Sequence, residues 1–340
     1  MALLKKFFNV KKNRTLILGI HGLSNKPPKK LLTSWWKRSI KEGLAKIDKS
    51  PTQFDFKMVY WADLLHKEPL QLGISDPDDP LHIDEPYIAE KNLRTAAYKG
   101  VLQKAKNLIQ YIKEILFLSR LGLNKFRRPF NMIVKIGFKD LDTYYNEEVP
   151  ENEQMFQPLF KERVRKRLTE IIRKNRKKDV LIIAHSMGSI IAYDVLLQLR
   201  GEIDIKGFIS MGSPMGLPLI REKIMQDHGL PFDDEPLPPT PEGIEAWYSF
   251  CDRDDNIGSF YNLAHFYQPN TQGVKPIGKF VENNYKYWVT DNAHKSFGYL
   301  RCKEVAQVVS DFLVSGRSSF FTKSMQLFRR KGKDTKKPQG

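Results

Sequence analysis

The run Val180-Leu181-Ile182-Ile183-Ala184, followed at once by His185-Ser186-Met187-Gly188-Ser189, constrains this chain more than any other ten residues. Five apolar residues with no charge among them make a stable strand when both faces are covered, as inside a parallel sheet. Ile190, Ile191, Val195 and Leu199 then recur at helical spacing, so the chain turns from strand to helix within the small residues around Ser186. A serine on that corner is lifted clear of the sheet, and the helix behind it directs its positive dipole end at the hydroxyl. The Met187 N–H is then available to a developing oxyanion. The competing reading of Ser186 is an N-cap serine that closes the helix and does nothing else.

Ala184-His185-Ser186-Met187-Gly188 resembles the nucleophile elbow of the α/β-hydrolase superfamily, G-x-S-x-G, with alanine in place of the first glycine. Small side chains are required two before and two after the serine because strand and helix approach closely there, and alanine fits. The resemblance is to lipase- and esterase-like serine hydrolases, and four further stretches carry it in chain order. Thr15–Ile20 is a second buried-strand pattern and runs into His21-Gly22-Leu23. In the superfamily such an H-G turn supplies the other half of the oxyanion hole, which makes the Leu23 N–H the partner of Met187. Gly212-Ser213-Pro214 resembles a turn bordering the site; Pro214 has no N–H for an oxyanion, so Ser213 is read as structural.

The last two stretches supply the acid and the base. Ala246–Phe250 leads into Cys251-Asp252-Arg253-Asp254-Asp255-Asn256-Ile257, where the superfamily places its triad acid. The family pattern aligns Asp255, with Asn256 where a proline is usual, while Asp252 and Asp254 are close enough to take the role instead. Tyr285–Val289 reads as the last strand, and His294 lies between it and a final helix marked by Leu300, Val305, Val308 and Phe312. The order Ser186, Asp255, His294 is that of the superfamily. The resemblance thus implies a Ser-Asp-His triad and an acyl-enzyme, acting on carboxylic, lipid-like esters. Thioesterases and acyltransferases use the same triad. A non-catalytic relative that binds a membrane or protein partner is the rival reading, and the intact triad residues count against it.

The expected architecture is an α/β-hydrolase fold over residues 13–315, a mostly parallel sheet flanked by helices. Leu32, Trp36, Ile40, Leu44 and Ile47 mark a helix after Pro27-Pro28, Phe54–Tyr60 a strand, Phe156 to Ile172 a helix, and Ile205–Met211 a strand. An insertion over about residues 64–150 carries a helical stripe at Leu93, Ala97, Val101, Ala105, Leu108, Ile112 and Leu116. It reads either as a lid or as helices that complete the core.

The formal net charge of +17 is regional. Residues 1–50, 91–140 and 316–340 carry about +11, +10 and +7, leaving about −11 for the remainder. Residues 1–12 alternate Leu3-Leu4 and Phe7-Phe8 with lysine pairs, and in 316–340 Phe321, Met325 and Phe328 lie among Lys323, Arg329, Arg330 and Lys331. Such segments fit an anionic membrane surface, in a cytoplasmic protein held peripherally. Nucleic acid is the weaker partner, because no recognisable module accompanies the basic residues. No stretch approaches the ~20 apolar residues of a membrane span, and no secretory leader pattern opens the chain. The two cysteines, Cys251 and Cys302, form no metal or disulfide spacing. Without a phosphate loop, a dinucleotide fingerprint or H-E-x-x-H, neither cofactor nor metal is expected.

Overall fold

The structure, a computed structural model, describes residues 15–49, 53–90, 139–148, 158–231, 237–255, 257–258, 262–287 and 290–315. Residues 1–12, 316–340 and the stripe from Leu93 to Leu116 lie outside them, so the expectations placed there concern segments the structure does not describe.

Six strands form one all-parallel sheet: Thr15–Ile20 (β1), Phe56–Val59 (β2), Asp179–His185 (β3), Gly207–Met211 (β4), Trp247–Cys251 (β5) and Pro276–Phe280 (β6), in the order β2-β1-β3-β4-β5-β6. The fold is α/β, and the sheet is compatible with the α/β-hydrolase class. Lys29–Ala45 (α1) starts directly after Pro28, whose fixed φ suits a helix entrance and whose missing N–H costs nothing there. Lys139–Asn146 (α2) and Phe160–Lys174 (α3) precede β3, Met187–Leu199 (α4) follows it, and Pro218–Asp227 (α5) follows β4. The described residues end with Ser296–Arg301 (α6) and Lys303–Ser315 (α7).

The apolar runs divide between two cores by the two-residue period of a strand. Leu16, Leu18, Ile20, Val180, Ile182 and Ala184 pack with Val164, Leu168 and Ile172 of α3 and Ile190, Ile191 and Val195 of α4. Ile17, Leu181, Ile183, Ile209 and Met211 pack on the other face with Trp36 and Ile40 of α1 and Val305, Val308 and Phe312 of α7. Both faces are therefore covered, which is why β1 and β3 carry no polar alternation.

One part of the expected order is corrected. The last strand of the sheet is β6, and the Tyr285–Val289 region instead holds a small antiparallel pair, Lys286–Tyr287 (β7) with Thr290–Asp291 (β8), outside the main sheet. Pro276-Ile277-Gly278-Lys279-Phe280 lies on the sheet edge with most of its residues half-buried. An edge strand needs no continuous apolar run, so its pattern was weak.

Candidate active site

The strand order reverses between β1 and β3, the kind of switch point beside which open α/β sheets carry their sites. β1 delivers His21-Gly22-Leu23 to the carboxyl ends of these neighbours and β3 delivers Ser186. Contact between the two is close: a methyl built on Gly188 would lie 2.5 Å from the His21 carbonyl oxygen, so the small residue two after the serine is needed for α4 to sit against the end of β1. Ser186 has φ 53° and ψ −129°, a conformation that costs a non-glycine residue about 1–3 kcal/mol. It is held in place from both sides. The Ser186 N–H donates to the Met211 carbonyl at 3.0 Å, and its own carbonyl accepts from the Ser189 N–H at 2.9 Å and Ser189 Oγ at 2.5 Å. The Ser186 side chain makes no capping hydrogen bond to its helix, so its hydroxyl is not occupied as an N-cap. Ser213 has the structural part expected of it, sharing a hydrogen bond with Ser189 Oγ at 2.7 Å and accepting the Met215 N–H.

The three neighbouring aspartates have different surroundings. Asp255 is 1% exposed, and its oxygens lie 2.9 and 3.0 Å from His294 Nδ1. It also accepts the Ile257 and Gly258 N–H groups on Oδ1 and the Tyr299 hydroxyl on Oδ2 at 2.5 Å. Asp252 instead accepts the backbone N–H groups of Asn283 and Asp254, and Asp254 is exposed. With Nδ1 turned to Asp255, Nε2 is the ring atom of His294 left for a reacting hydroxyl.

The His294 loop is fastened separately. Its N–H donates to Asn292 Oδ1 at 3.0 Å, and His185 Nε2 donates to its carbonyl at 2.6 Å, with the two imidazoles 4.6 Å apart. Glu85, on the segment after β2, accepts from Lys295 Nζ at 2.7 Å and from Asn292 Nδ2 at 2.8 Å. Burial favours the neutral acid, but Lys295 and Asn292 hold Glu85 below the usual carboxylate range.

Burial pushes His185 well below the ordinary histidine range, with the neighbouring His294 and Lys26 adding to it. His21 is pushed down in the same way, by burial first and then by Lys26. Both are neutral at pH 7. Burial, then Asp255, raises the Tyr299 phenol well above its normal value, so Tyr299 stays a donor to the aspartate. Cys251 sits beneath this pair, buried and pushed upward by burial and Asp255, which makes it an inert thiol rather than a second nucleophile. Tyr299 and Glu85 were not identifiable as site residues from the sequence, whereas His185, the residue before Ser186, flanks the site in its motif, as His21 does in its own.

Among the described residues one further group has ligand-like spacing: Asp194, Asp227 and His228 offer atoms within 4.8 Å of one another. Cations already fill it. Arg165 bonds both aspartates, Lys161 bonds Asp227, and Tyr144 and His228 donate to Asp194 at 2.6 and 2.9 Å. This is an ion-pair cluster joining α4 to α2, α3 and α5, not a metal centre.

Residues 150–219, about a fifth of the chain, match the family described as lecithin:cholesterol acyltransferase. That stretch contains α3, β3, Ser186, α4 and β4, the elbow and its supports. The match is to an acyltransferase- and lipase-like family of the α/β-hydrolase class, and the parallel sheet fits it. No curated protein matches the chain. Among solved structures, a crystal structure at 2.75 Å resolution of an uncharacterized protein from Bacillus cereus ATCC 10987 is 12% identical. The comparison covers 91% of this chain and 67% of that one, with a TM-score of 0.30, too low to carry an argument about fold or function.

Proposed function

We propose that this chain is a serine hydrolase or acyltransferase that cleaves carboxylic, lipid-like esters through Ser186, His294 and Asp255. The observation that carries the reading is the buried Asp255 carboxylate against His294 Nδ1, in the loop fastened to the elbow by His185. In the acylation step Ser186 Oγ attacks the ester carbonyl and its proton passes to His294 Nε2. The Met187 and Leu23 N–H groups receive the oxyanion, and collapse of the tetrahedral intermediate expels the alcohol, which takes the proton from His294. Asp255 holds the Nδ1–H tautomer and stabilises the imidazolium. A second acceptor then attacks the acyl-enzyme with His294 again as base: water gives hydrolysis, and another alcohol gives acyl transfer, the reaction named in the matching family.

Hydrolysis of a short-chain aryl ester tests this. Ser186→Ala is expected to lower kcat by about 10⁴ to 10⁶ with the melting temperature unchanged within error. Retained turnover in that variant would move the nucleophile elsewhere. Adding a long-chain alcohol separates the two acceptors, since formation of a new ester identifies transfer.

The working place proposed is the surface of an anionic membrane, reached by the basic apolar segments 1–12 and 316–340. Among the described residues no helix is long and apolar enough to cross a bilayer. Flotation with anionic vesicles should therefore recover the full chain at low salt and lose a truncated chain of residues 13–315. Equal recovery of both would remove the tails from the account.

A further inference from the structure

We propose that His21, carrying its proton on Nδ1, is a positioning residue that aims the Leu23 N–H at the Ser186 pocket. The inference rests on the hydrolase reading above and concerns how its oxyanion hole is held.

The two ring nitrogens of His21 face groups that cannot exchange roles. Nε2 lies 3.1 Å from the Trp61 backbone nitrogen and 3.4 Å from that of Ala62, both donors. Nδ1 lies 2.9 Å from the Gly22 carbonyl oxygen, an acceptor. Only a ring with a bare Nε2 and a protonated Nδ1 satisfies both sides. The ring is also immobile: it is 1% exposed, stacks on the Trp61 indole at 4.6 Å, and the Trp61 Nε1–H donates to the His21 carbonyl at 3.0 Å. Burial and then Lys26 oppose a second proton, with His66 and Arg167 adding to them, and they outweigh the Gly22 carbonyl, which favours it; the Tyr60 phenol ring lies 5.3 Å away.

Holding the Gly22 carbonyl fixes more than one bond. The peptide between Gly22 and Leu23 is planar and trans, so its N–H points opposite to its C=O. A carbonyl drawn back to the His21 ring leaves the Leu23 N–H directed the other way. This peptide lies over the nucleophile, since a methyl built on Gly22 would sit 2.9 Å from Ser186 Cβ. The following residues are fastened too. Lys26 Nζ donates to the Leu23 carbonyl and to that of Ser24 at 3.0 Å, while the Ser24 N–H donates to Asp140 Oδ2 at 2.5 Å. Ser24 has φ 71°, and a non-glycine residue keeps that conformation only where its surroundings impose it. Released, the Gly22–Leu23 peptide could turn its carbonyl towards the site and repel the oxyanion. Since that charge develops in the transition state, the effect belongs in kcat and not in KM.

Two substitutions separate positioning from packing. His21→Asn keeps a donor near the Nδ1 position and loses the Nε2 acceptor. His21→Gln keeps an acceptor near Nε2 and loses the donor. Both remove the ring, and both should lower the melting temperature. With the aryl ester, His21→Gln is expected to lose about 10- to 100-fold in kcat with KM within about twofold, whereas His21→Asn stays within about fivefold of wild type. Equal losses in the two variants, or losses that follow melting temperature, would overturn the proposal. Nitrogen NMR of histidine-labelled wild-type protein tests it without any variant having to fold. One buried ring should carry its proton on Nδ1 and none on Nε2 at pH 7, and a His21 ring protonated on Nε2 there would overturn the assignment. Wild-type protein that hydrolyses no ester and takes no fluorophosphonate label would sink the hydrolase reading and this inference together. Labelled, active wild type with equal losses in the two variants would sink this inference alone.

Discussion

Asp255 reaches His294 Nδ1, while Asp252 is spent on the Asn283 and Asp254 N–H groups and Asp254 points to solvent. Asp255→Asn should therefore lower kcat by about 10⁴ by presenting the wrong tautomer of His294, and Asp254→Asn should leave it near wild type. Near wild-type turnover in Asp255→Asn would put the acid elsewhere. Tyr299 donates the one side-chain hydroxyl bond that Asp255 receives among the described residues. A hydrogen bond to a charged group contributes about 1.5–3 kcal/mol, so Tyr299→Phe is expected to lower kcat by about tenfold or more with KM unchanged. An unchanged kcat would make Tyr299 a packing residue only. The positions of Ser186, Met187 and Leu23 just past strand ends were legible, because adjacency in sequence is there adjacency in space. The family resemblance aligned Asp255, but the surrounding residues alone left three aspartates open, because the choice depends on which way each loop carboxylate turns. Tyr299 looked like any core aromatic of a helix; its hydroxyl partner lies 44 residues away.

The turn at the end of β4 forms the floor under Asp255 and His294. Gly212 has φ 52°, and a methyl there would lie 2.6 Å from Asp255 Oδ2 and 3.0 Å from His294 Nδ1. Gly212→Ala is therefore expected to force the pair apart, lowering kcat by about 10²-fold through a residue with no chemistry of its own; activity within twofold of wild type would show that the floor can give. On the far side of α4, Asp194 is fully buried and ties three other helices to the elbow helix through Arg165, Tyr144 and His228. Burial opposes the Arg165 charge, but Asp194, Tyr144 and Asp227 together outweigh it and raise the guanidinium further. Removing one partner of such a pair costs about 3–5 kcal/mol, and replacing both by apolar residues costs far less. Urea unfolding of Asp194→Ala against Asp194→Leu/Arg165→Met measures the difference, and equal losses would deny the pairing. The same contrast governs what the sequence told. Strands β1 and β3 and helices α1, α3 and α4 were plain because both faces of a central strand must be apolar and each helix needs one greasy side. Edge strand β6 carries little apolar signal while Tyr285–Val289 reads as a strand, so the final strand of the sheet was placed too late in the chain.

The whole molecule keeps two neutral imidazoles buried at its site, and its stability must reflect that. His21 and His185 both have folded values well below 6.5. The unfolded chain therefore takes up their protons first as pH falls. Stability from these two rings is intact above about pH 6.5 and declines below it, at up to about 1.4 kcal/mol per pH unit for each ring. His185→Phe should flatten the acid side of the stability profile. A profile just as steep would assign it to other groups. The net charge of +17 lies largely in segments beyond the described residues.

The central claim is that Ser186 is an activated nucleophile, and labelling with a fluorophosphonate followed by peptide mapping tests it most directly. The account predicts one phosphonyl group per chain, on Ser186, formed by wild type and by Ser213→Ala, and lost in both Ser186→Ala and His294→Ala. A wild-type chain that takes no label, or a label that maps to another residue, would contradict it.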